Sequence, residues 1–243
     1  MKKIQAKSKP KDRIMSKTIE KIMALILLAV CYLIFQNMSK IVSKDLKAER
    51  KKTVVIDPGH GGIDGGKQAG DGTLEKDINL SISLKLKNQL EKKGIRVVMT
   101  RETDCGLYKQ TDTNKKTADL KQRCKIMNEN QADCVVSIHQ NSYLTTNVKG
   151  AQVFYYAKSE EAKEFAEDLQ KKLVDNLDKS NKRKAKANDS YYILRHTEPL
   201  SVIIECGFLS NPEEADLLKS EAYQDRIAKA VCKGIISKVL TTE

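Results

Sequence analysis

The 243-residue sequence lacks the cysteine pattern of a disulfide-stapled domain or of a cysteine-based zinc site. Its six cysteines include no Cys-x-x-Cys pair, and Cys31 lies in an apolar run. The other five are an odd number, spread from Cys105 to Cys232. Cysteine zinc sites usually need closely spaced pairs. We therefore expect mostly buried thiols and at most one disulfide, which the sequence does not identify.

A dense basic stripe on the folded part is also absent, although the formal net charge is +12. Residues 1–51 carry 13 Lys and Arg against 4 Asp and Glu, whereas residues 52–243 are close to balance at +3. Nucleic-acid binding needs a basic footprint on the fold itself. We therefore expect no nucleic-acid partner, and the sequence shows neither internal repeats nor low-complexity tracts.

The apolar segment near the amino terminus lacks a small-x-small cleavage site. Its apolar run, residues 22–35, follows a basic stretch and as a helix would span about 21 Å, short of the roughly 30 Å hydrocarbon core. That length is typical of a signal peptide, but flanking residues up to Met38 would extend the span of an uncleaved anchor. Both interpretations stay open, the anchor is favoured, and both place residues 40–243 outside the cytoplasm.

The rest of the chain alternates short apolar strands with amphipathic helices. We predict a basic cytoplasmic tail at 1–21, a signal peptide or signal anchor at 22–38, a linker at 39–52 and one folded domain at 53–243. Within that domain the pattern predicts strands at 54–56, 94–100, 134–138, 151–156, 191–194 and 202–204. It predicts helices at 75–93, 117–130 and 160–177, with Thr117 as a helix cap, and one or two helices in 212–240. Such alternation is typical of an α/β sheet with helices on both faces.

Polar side chains stand where three of these strands end. His60 follows the first strand, His139 ends the third, and Glu205 follows 202–204. Functional groups gather at the carboxyl ends of strands in open α/β sheets. Glu75 opens the first helix, and a glycine-rich loop could bring it near His60. Two imidazoles and a carboxylate are a typical zinc set in hydrolases, and a further carboxylate can act as general base. Spacing alone leaves two ordinary loop histidines as the alternative.

Four segments, in this order, resemble the N-acetylmuramoyl-L-alanine amidases of the amidase-3 family. They are VVIDPGHGGIDGG (54–66), EKDINL (75–80), SIHQNS (137–142) and IIECGFLSNPEE (203–214). The resemblance implies a single α/β domain with a six-stranded, mostly parallel sheet. It implies one zinc ion on His60, Glu75 and His139, with Glu205 as the catalytic residue. The implied reaction is hydrolysis of the peptidoglycan amide between the lactyl group of N-acetylmuramic acid and L-alanine.

The size of the domain refines this resemblance. Between residues 140 and 190 there is room for a strand, a helix and a basic loop, but not for the long helix that occludes the zinc in some family members. The chain also carries no wall-binding repeats. It therefore resembles the CwlD-type amidases that act on the cortex of bacterial spores. The resemblance implies an exported enzyme that the amino-terminal helix holds at the membrane. An unplugged lytic enzyme needs control, so an activating protein partner is a further expectation.

The remaining candidates are substrate contacts and competing functions. Arg195 is predicted to hold a stem-peptide carboxylate or a glycan oxygen, and Asn141 to touch substrate, although a surface arginine and a loop-shaping asparagine explain them as well. Asp57 would orient His60 or form the turn before Pro58, and His196 is interpreted as a loop histidine. The competing functions are a zinc-dependent peptidase or deacetylase acting on the cell wall, and a binding protein with an inactive site.

Overall fold

The chain divides into two units, one up to Arg50 and one from Lys51 onward. The structure, a computed structural model, describes residues 19, 21–38 and 51–240. Most of the predicted basic tail and of the predicted linker therefore lies outside the described residues. The proposed division into tail, anchor, linker and catalytic domain stays a prediction.

The described part of the first unit is one apolar helix, α1 (Lys21–Met38). Its 18 residues are long and apolar enough to cross a membrane, and none of them is buried. Large side chains such as Leu25 and Phe35 are 67% and 72% exposed. The predicted apolar segment is thus helical.

The second unit contains six strands and six helices among its described residues. The strands are β1 (Thr53–Pro58), β2 (Arg96–Met99), β3 (Cys134–Asn141), β4 (Gln152–Tyr156), β5 (Lys186–Asn188) and β6 (Ser201–Phe208). The helices are α2 (Glu75–Glu91), α3 (Lys115–Glu129), α4 (Glu160–Asn176), α5 (Tyr192–His196), α6 (Pro212–Lys219) and α7 (Glu221–Leu240).

The six strands form one sheet in the order β2-β1-β3-β6-β4-β5. The pairs β1–β2, β1–β3, β3–β6 and β4–β5 are parallel, and only β4 against β6 is antiparallel. The predicted six-stranded, mostly parallel sheet is confirmed. Because β1, β3 and β6 are adjacent and parallel, the residues near their carboxyl ends share one edge of the sheet.

Both faces of the sheet are covered, as predicted. Val54 and Ile56 pack on one face together with apolar side chains of α2, α4 and α7. Val55 points the other way and packs with Met127 of α3 and Leu194 of α5. The strands are therefore almost continuously apolar, because both of their faces are buried.

Three details of the sequence-based prediction are wrong. In the predicted strand 191–194, residues 192–194 belong to the short helix α5 and Tyr191 is the residue just before it. The sixth strand, β5, lies in the segment predicted as a basic loop. The side chain of Asn188 accepts hydrogen bonds from the main chain of Ser190 and Tyr191 and so turns the chain after β5. A four-residue apolar run has too little periodicity to separate a strand from one helical turn. The prediction that Thr117 caps helix α3 is also wrong, because the cap is Asn114, whose side chain accepts from the main-chain N–H of Thr117.

All six cysteines are free thiols in the structure. Cys124, Cys134, Cys206 and Cys232 are buried, Cys105 is half-buried, and Cys31 lies on the exposed helix α1. Burial raises the pKa of the Cys124 thiol to about 11. Four of the six therefore serve as small apolar core residues, as expected for mostly buried thiols.

Candidate active site

Three elements bring two histidines and one glutamate together at one edge of the sheet. His60 follows β1, Glu75 is the first residue of α2, and His139 lies in β3. Each offers one possible ligand atom, and these atoms all lie within 4.8 Å of one another. Residues 79 positions apart in sequence thus form one compact cluster that could hold a metal ion.

The Glu75 carboxylate lies between the two imidazoles. Its Oε2 is 3.3 Å from His60 Nε2, and its Oε1 is 2.9 Å from His139 Nδ1. The two rings are perpendicular neighbours, with centroids 5.0 Å apart. Ligand atoms about 2.0–2.1 Å from a zinc ion at tetrahedral angles are about 3.3 Å apart, so these separations fit such an ion after small side-chain movements.

Glu75 is held rigidly, because it is 2% exposed and its oxygens accept several hydrogen bonds. The main-chain N–H of Lys67 donates to Oε2 at 2.7 Å, and that of Gln140 donates to Oε1 at 3.0 Å. Burial acts to raise the pKa of this carboxyl, but hydrogen bonds and charge from His139 and His60 outweigh it and lower the pKa. Glu75 is therefore an ionised carboxylate in the folded protein.

His60 is oriented by Asp64 rather than by Asp57. Its Nδ1 lies 2.9 Å from Asp64 Oδ2, which leaves Nε2 facing Glu75. The expectation that Asp57 orients His60 is wrong, because the Asp57 carboxylate is directed to Thr100, Ser137 and Arg123. A carboxylate behind a metal-binding histidine can fix the tautomer and the direction of the ring. Asp64 is the carboxylate placed for this role, within ion-pair distance of Nδ1, although the contact does not have the geometry of a hydrogen bond.

Two glycines allow the backbone to pass close to these side chains. A Cβ at Gly59 would lie 2.2 Å from the His139 ring. A Cβ at Gly66, where φ is 70°, would lie 2.5 Å from Glu75 Oε2 and 2.7 Å from His60 Cδ2. Part of the glycine-rich loop is therefore dictated by the space that the cluster needs.

Glu205 stands beside this cluster on the neighbouring strand. It is in register with His139 across the β3–β6 pair, and it is 7% exposed. Its Oε2 has no hydrogen-bond partner among the described residues. Burial is the main reason why the pKa of Glu205 rises to about 7, with the charge of Glu75 adding to the effect and His139 opposing it. A carboxyl with such a pKa can take up and release a proton near neutral pH.

A cavity of about 330 Å³ opens over these groups. His60, Glu75, His139 and Glu205 all line it, as do Asn141 and Tyr191. Burial, followed by the charge of Glu205, raises the pKa of Tyr191 to about 12. Tyr191 is therefore a hydrogen-bond donor at neutral pH, placed in the same cavity as Glu205.

Of the two predicted substrate contacts, Asn141 lines the cavity and Arg195 does not. Asn141 lines the cavity, and its side chain accepts a hydrogen bond from the main chain of Ser142. Arg195 is exposed on α5 and is not among the residues that line the cavity. The third histidine, His196, is exposed and stacks on Tyr192, away from the cluster. The structure thus separates His196 from the two histidines of the site.

The sequence does not predict several of the side chains that line or support the site. The sequence pattern places Tyr191 in a strand, and Lys67 and Lys116, which also line the cavity, are two of many lysines. The position of Asn79 could have been predicted, because it follows Glu75 by four residues and therefore lies on the same face of the helix. Its side chain donates to Glu75 Oε1 and to the carbonyl of Gly59.

The arrangement combines an ionised carboxylate between two imidazoles with a second carboxylate of raised pKa. The donor set suits zinc, which takes nitrogen and oxygen ligands and in hydrolytic sites keeps one position free. The open cavity provides room for a substrate at that position. Fold and site together define an α/β protein with the groups of a metal-dependent hydrolase.

Comparison with known proteins then identifies the family. Residues 54–237 match the family model described as N-acetylmuramoyl-L-alanine amidase. The chain is 39% identical over 188 residues to the germination-specific N-acetylmuramoyl-L-alanine amidase of Bacillus subtilis, covering 76% of this chain and 78% of that protein. It is 31% identical over 188 residues to LytC of Bacillus subtilis, 35% of whose length is matched.

Solved structures agree with these relatives. The CwlD amidase from Clostridioides difficile, in complex with the GerS lipoprotein, superposes with a TM-score of 0.76 at 42% identity, covering 79% of this chain and all of that one. An N-acetylmuramoyl-L-alanine amidase from Clostridium difficile 630 gives a TM-score of 0.71 at 34% identity, covering 79% of this chain and 99% of that one. The chain belongs to the N-acetylmuramoyl-L-alanine amidase family, and the predicted enzyme class is confirmed.

Proposed function

We propose that the protein is a zinc-dependent amidase that hydrolyses the bond between the lactyl group of N-acetylmuramic acid and L-alanine in the peptidoglycan of the spore cortex. The observation that carries this proposal is the pairing of His60, Glu75 and His139 with Glu205 in one open cavity. Family membership indicates which bond is cut. The site contains the residues that would bind the metal ion and the residue that would act as the base.

His60, Glu75 and His139 would hold the zinc ion. A bound zinc ion polarises a carbonyl oxygen and lowers the pKa of water to about 7. Asp64 faces Nδ1 of the His60 ring, which leaves Nε2 toward the metal, and hydrogen bonds and charge from His139 and His60 keep Glu75 ionised. Main-chain N–H groups hold its carboxylate in place. Glu75 and His139 lie on regular elements, and His60 lies in the loop that follows β1.

Glu205 acts as general base and then as general acid. It removes a proton from the attacking water and later delivers that proton to the alanine nitrogen, so that the amide C–N bond breaks as a C–O bond forms. One carboxyl can perform both steps when its pKa is near the working pH, and that of Glu205 is raised to about 7. The Tyr191 hydroxyl, in the same cavity, donates a hydrogen bond to Glu205 or to the reacting carbonyl oxygen. Asn141 and Arg195 remain proposed contacts for the glycan or the stem peptide.

The cellular role follows from the relatives and from the first unit. The 39% identical relative from Bacillus subtilis is described as germination-specific, so we assign this chain to the spore cortex. We propose that helix α1, together with the basic flank before it, tethers residues 53–243 to the outer side of the membrane as a catalytic domain. The same division makes 1–21 a cytoplasmic tail, 22–38 the signal anchor and 39–52 a linker.

The partner also follows from a relative. The solved CwlD amidase is in complex with the GerS lipoprotein. We propose a partner of the same kind, a lipid-anchored protein at the membrane surface, because a tethered enzyme and a lipid-anchored protein share that surface. Such a partner would supply the control that an open active site needs.

Two other wall hydrolases use comparable zinc chemistry, a peptidase within the stem and a deacetylase of the glycan. Their products separate them from an amidase, which alone exposes the amino group of L-alanine while leaving the lactyl carboxyl on the glycan. The family match favours the amidase, and the four segments of resemblance span most of the catalytic domain.

Metal analysis of histidine variants tests the metal site. His60→Ala and His139→Ala should each lower zinc content and abolish activity, whereas His196→Ala should change neither. His196 is a suitable control because it is the third and last histidine of the chain and is exposed outside the cavity. Full zinc occupancy in both His60→Ala and His139→Ala would remove this ligand assignment.

A further inference from the structure

Two buried arginines outside the ligand set hold the loop that carries His60. Arg101 and Arg123 are 3% and 2% exposed. Arg101 Nε and Arg123 Nη1 donate to the carbonyl oxygen of Pro58 at 3.0 and 2.7 Å. Arg101 Nη2 donates to that of Gly59 at 3.0 Å, and Arg123 Nη2 to that of His60 at 2.6 Å. Three consecutive carbonyl groups are thus bound by guanidinium groups.

This loop needs such support because His60 has left-handed backbone geometry. Its φ is 62°, a conformation that is unfavourable for a non-glycine residue and that persists only when the surroundings impose it. The hydrogen bond from Arg123 to the His60 carbonyl acts at the strained residue itself. The positive charge of Arg123 is neutralised by Asp57 and Asp119, which both form ion pairs with it.

Arg101 also connects the two elements that carry ligands. Its Nη2 donates to the carbonyl of Gly59 and, at 2.8 Å, to the carbonyl of Lys76. These carbonyls belong to the residues next to His60 and Glu75. One planar group therefore spans the His60 loop and the start of α2, and its rigidity fixes the distance between them.

The guanidinium of Arg101 is directed to carbonyl oxygens alone. Its hydrogen bonds, to residues 58, 59, 76 and 103, all go to the main chain, and it forms no ion pair with a described residue. Burying a cation without a carboxylate is costly. A buried, unpaired cation of this kind lowers the stability of the fold, so we expect Arg101 to be present because it fixes the geometry of the site.

We propose that Arg101 and Arg123 are positioning residues that set the separation of His60 and Glu75 and thereby the affinity of the site for its metal ion. The inference rests on the proposed function, since it concerns the zinc site. Partners behind the ligands of a metal typically change its affinity by about 10–100-fold when they are altered. A lysine at either position keeps the charge but cannot bridge two carbonyl groups with one planar fork.

The test compares Arg101→Lys and Arg123→Lys with Gln170→Leu in the full-length protein. Gln170 is also buried, accepts from the main-chain N–H of Val153 and donates to the carbonyl of Ala151. Its replacement by leucine therefore also leaves main-chain groups without hydrogen-bond partners. It touches none of the ligand residues in the described structure. Zinc dissociation constants come from competition with a chromophoric chelator, unfolding midpoints from circular dichroism, and site geometry from the visible spectrum of the cobalt-substituted protein.

We expect Arg101→Lys to weaken zinc binding by about 10–100-fold and to alter the cobalt spectrum, while Gln170→Leu lowers the unfolding midpoint without either effect. Arg123→Lys should behave like Arg101→Lys and decides the question if Arg101→Lys does not fold. Zinc affinity and cobalt spectra equal to wild type in a folded arginine variant would overturn the inference. Wild-type protein that binds no zinc would instead refute the proposed metal site, and this inference with it.

Discussion

Replacing Glu205 by glutamine should stabilise the metal-free protein at alkaline pH while destroying its activity. The carboxyl is 7% exposed, and its Oε2 lacks a hydrogen-bond partner among the described residues. Burial raises its pKa from 4.5 to about 7. A raised carboxyl pKa means that the folded state binds its proton more tightly than the unfolded state does. The resulting stability is therefore present below pH 4.5 and is lost as the pH rises through 7.

The size of the effect follows from that difference. Each unit of pKa difference corresponds to about 1.4 kcal/mol, so ionising Glu205 costs the folded protein about 3 kcal/mol at pH 8. Glutamine removes the charge but leaves a buried amide, which costs about 1 kcal/mol. The variant should therefore gain about 2 kcal/mol at pH 8. For a domain of this size that gain corresponds to a rise of about 4–8 °C in the unfolding midpoint.

Thermal unfolding of the full-length protein with a chelator, at pH 5 and pH 8, measures this difference. Glu198→Gln, an exposed carboxyl on the loop before β6, is the matched control and should unfold like wild type at both pH values. Adding zinc should shrink the advantage of Glu205→Gln, because a nearby cation stabilises the carboxylate. A Glu205→Gln protein that is less stable than wild type at pH 8, or whose advantage is the same at both pH values, would refute the reasoning.

Four further outcomes are expected. Gly66→Ala, which places a Cβ 2.5 Å from Glu75 Oε2, should lose zinc and activity, whereas Gly70→Ala, with no atom within 4 Å, should keep both in metal and activity assays. Burial tends to raise the pKa of Asp57, but its ion pair and hydrogen bonds lower it on balance, so its contribution to stability is lost as the pH falls below 3.8. Denaturant titrations of Asp57→Asn should show less acid sensitivity than wild type between pH 5 and pH 2, and an unchanged profile would contradict the assignment. Replacing Lys67 and Lys116 by alanine should raise KM for anionic stem peptides more than it lowers kcat, and equal KM values would exclude a carboxylate contact. Cell fractionation should recover the full-length chain with the membrane and its catalytic unit open to external protease, and a soluble cytoplasmic chain would contradict export.

The sequence predicts most of the sheet because its strands carry a strong local signal. Segments such as 54–56 and 134–138 are continuous apolar runs bounded by turns, and runs of this kind form strands buried on both faces. The segment 191–194 gives no such signal. Its two tyrosines followed by Ile193 and Leu194 suit a strand as well as a helical turn, and packing against Val55 and Met127 decides for the helix.

The four acidic and imidazole groups of the site could be predicted because strand ends gather at one edge of a parallel sheet. The residues that hold them in place could not. Asp64, Arg101 and Arg123 act through main-chain carbonyls or through a second side chain, and such contacts depend on loop geometry. Asp57 shows the same limit, since its proximity to His60 in sequence suggested a contact that its three buried partners exclude.

The central claim is that Glu205 and a zinc ion together hydrolyse the lactyl–alanine amide, and mass spectrometry of digested spore-cortex peptidoglycan tests it most directly. Zinc-loaded full-length wild type should release stem peptides that begin with a free L-alanine amino group and leave glycan with lactyl carboxyls. Glu205→Gln should retain its zinc and release these products about 10²–10⁴-fold more slowly. Products cut within the stem or deacetylated glycan from wild type, or near-normal release by Glu205→Gln, would contradict the account.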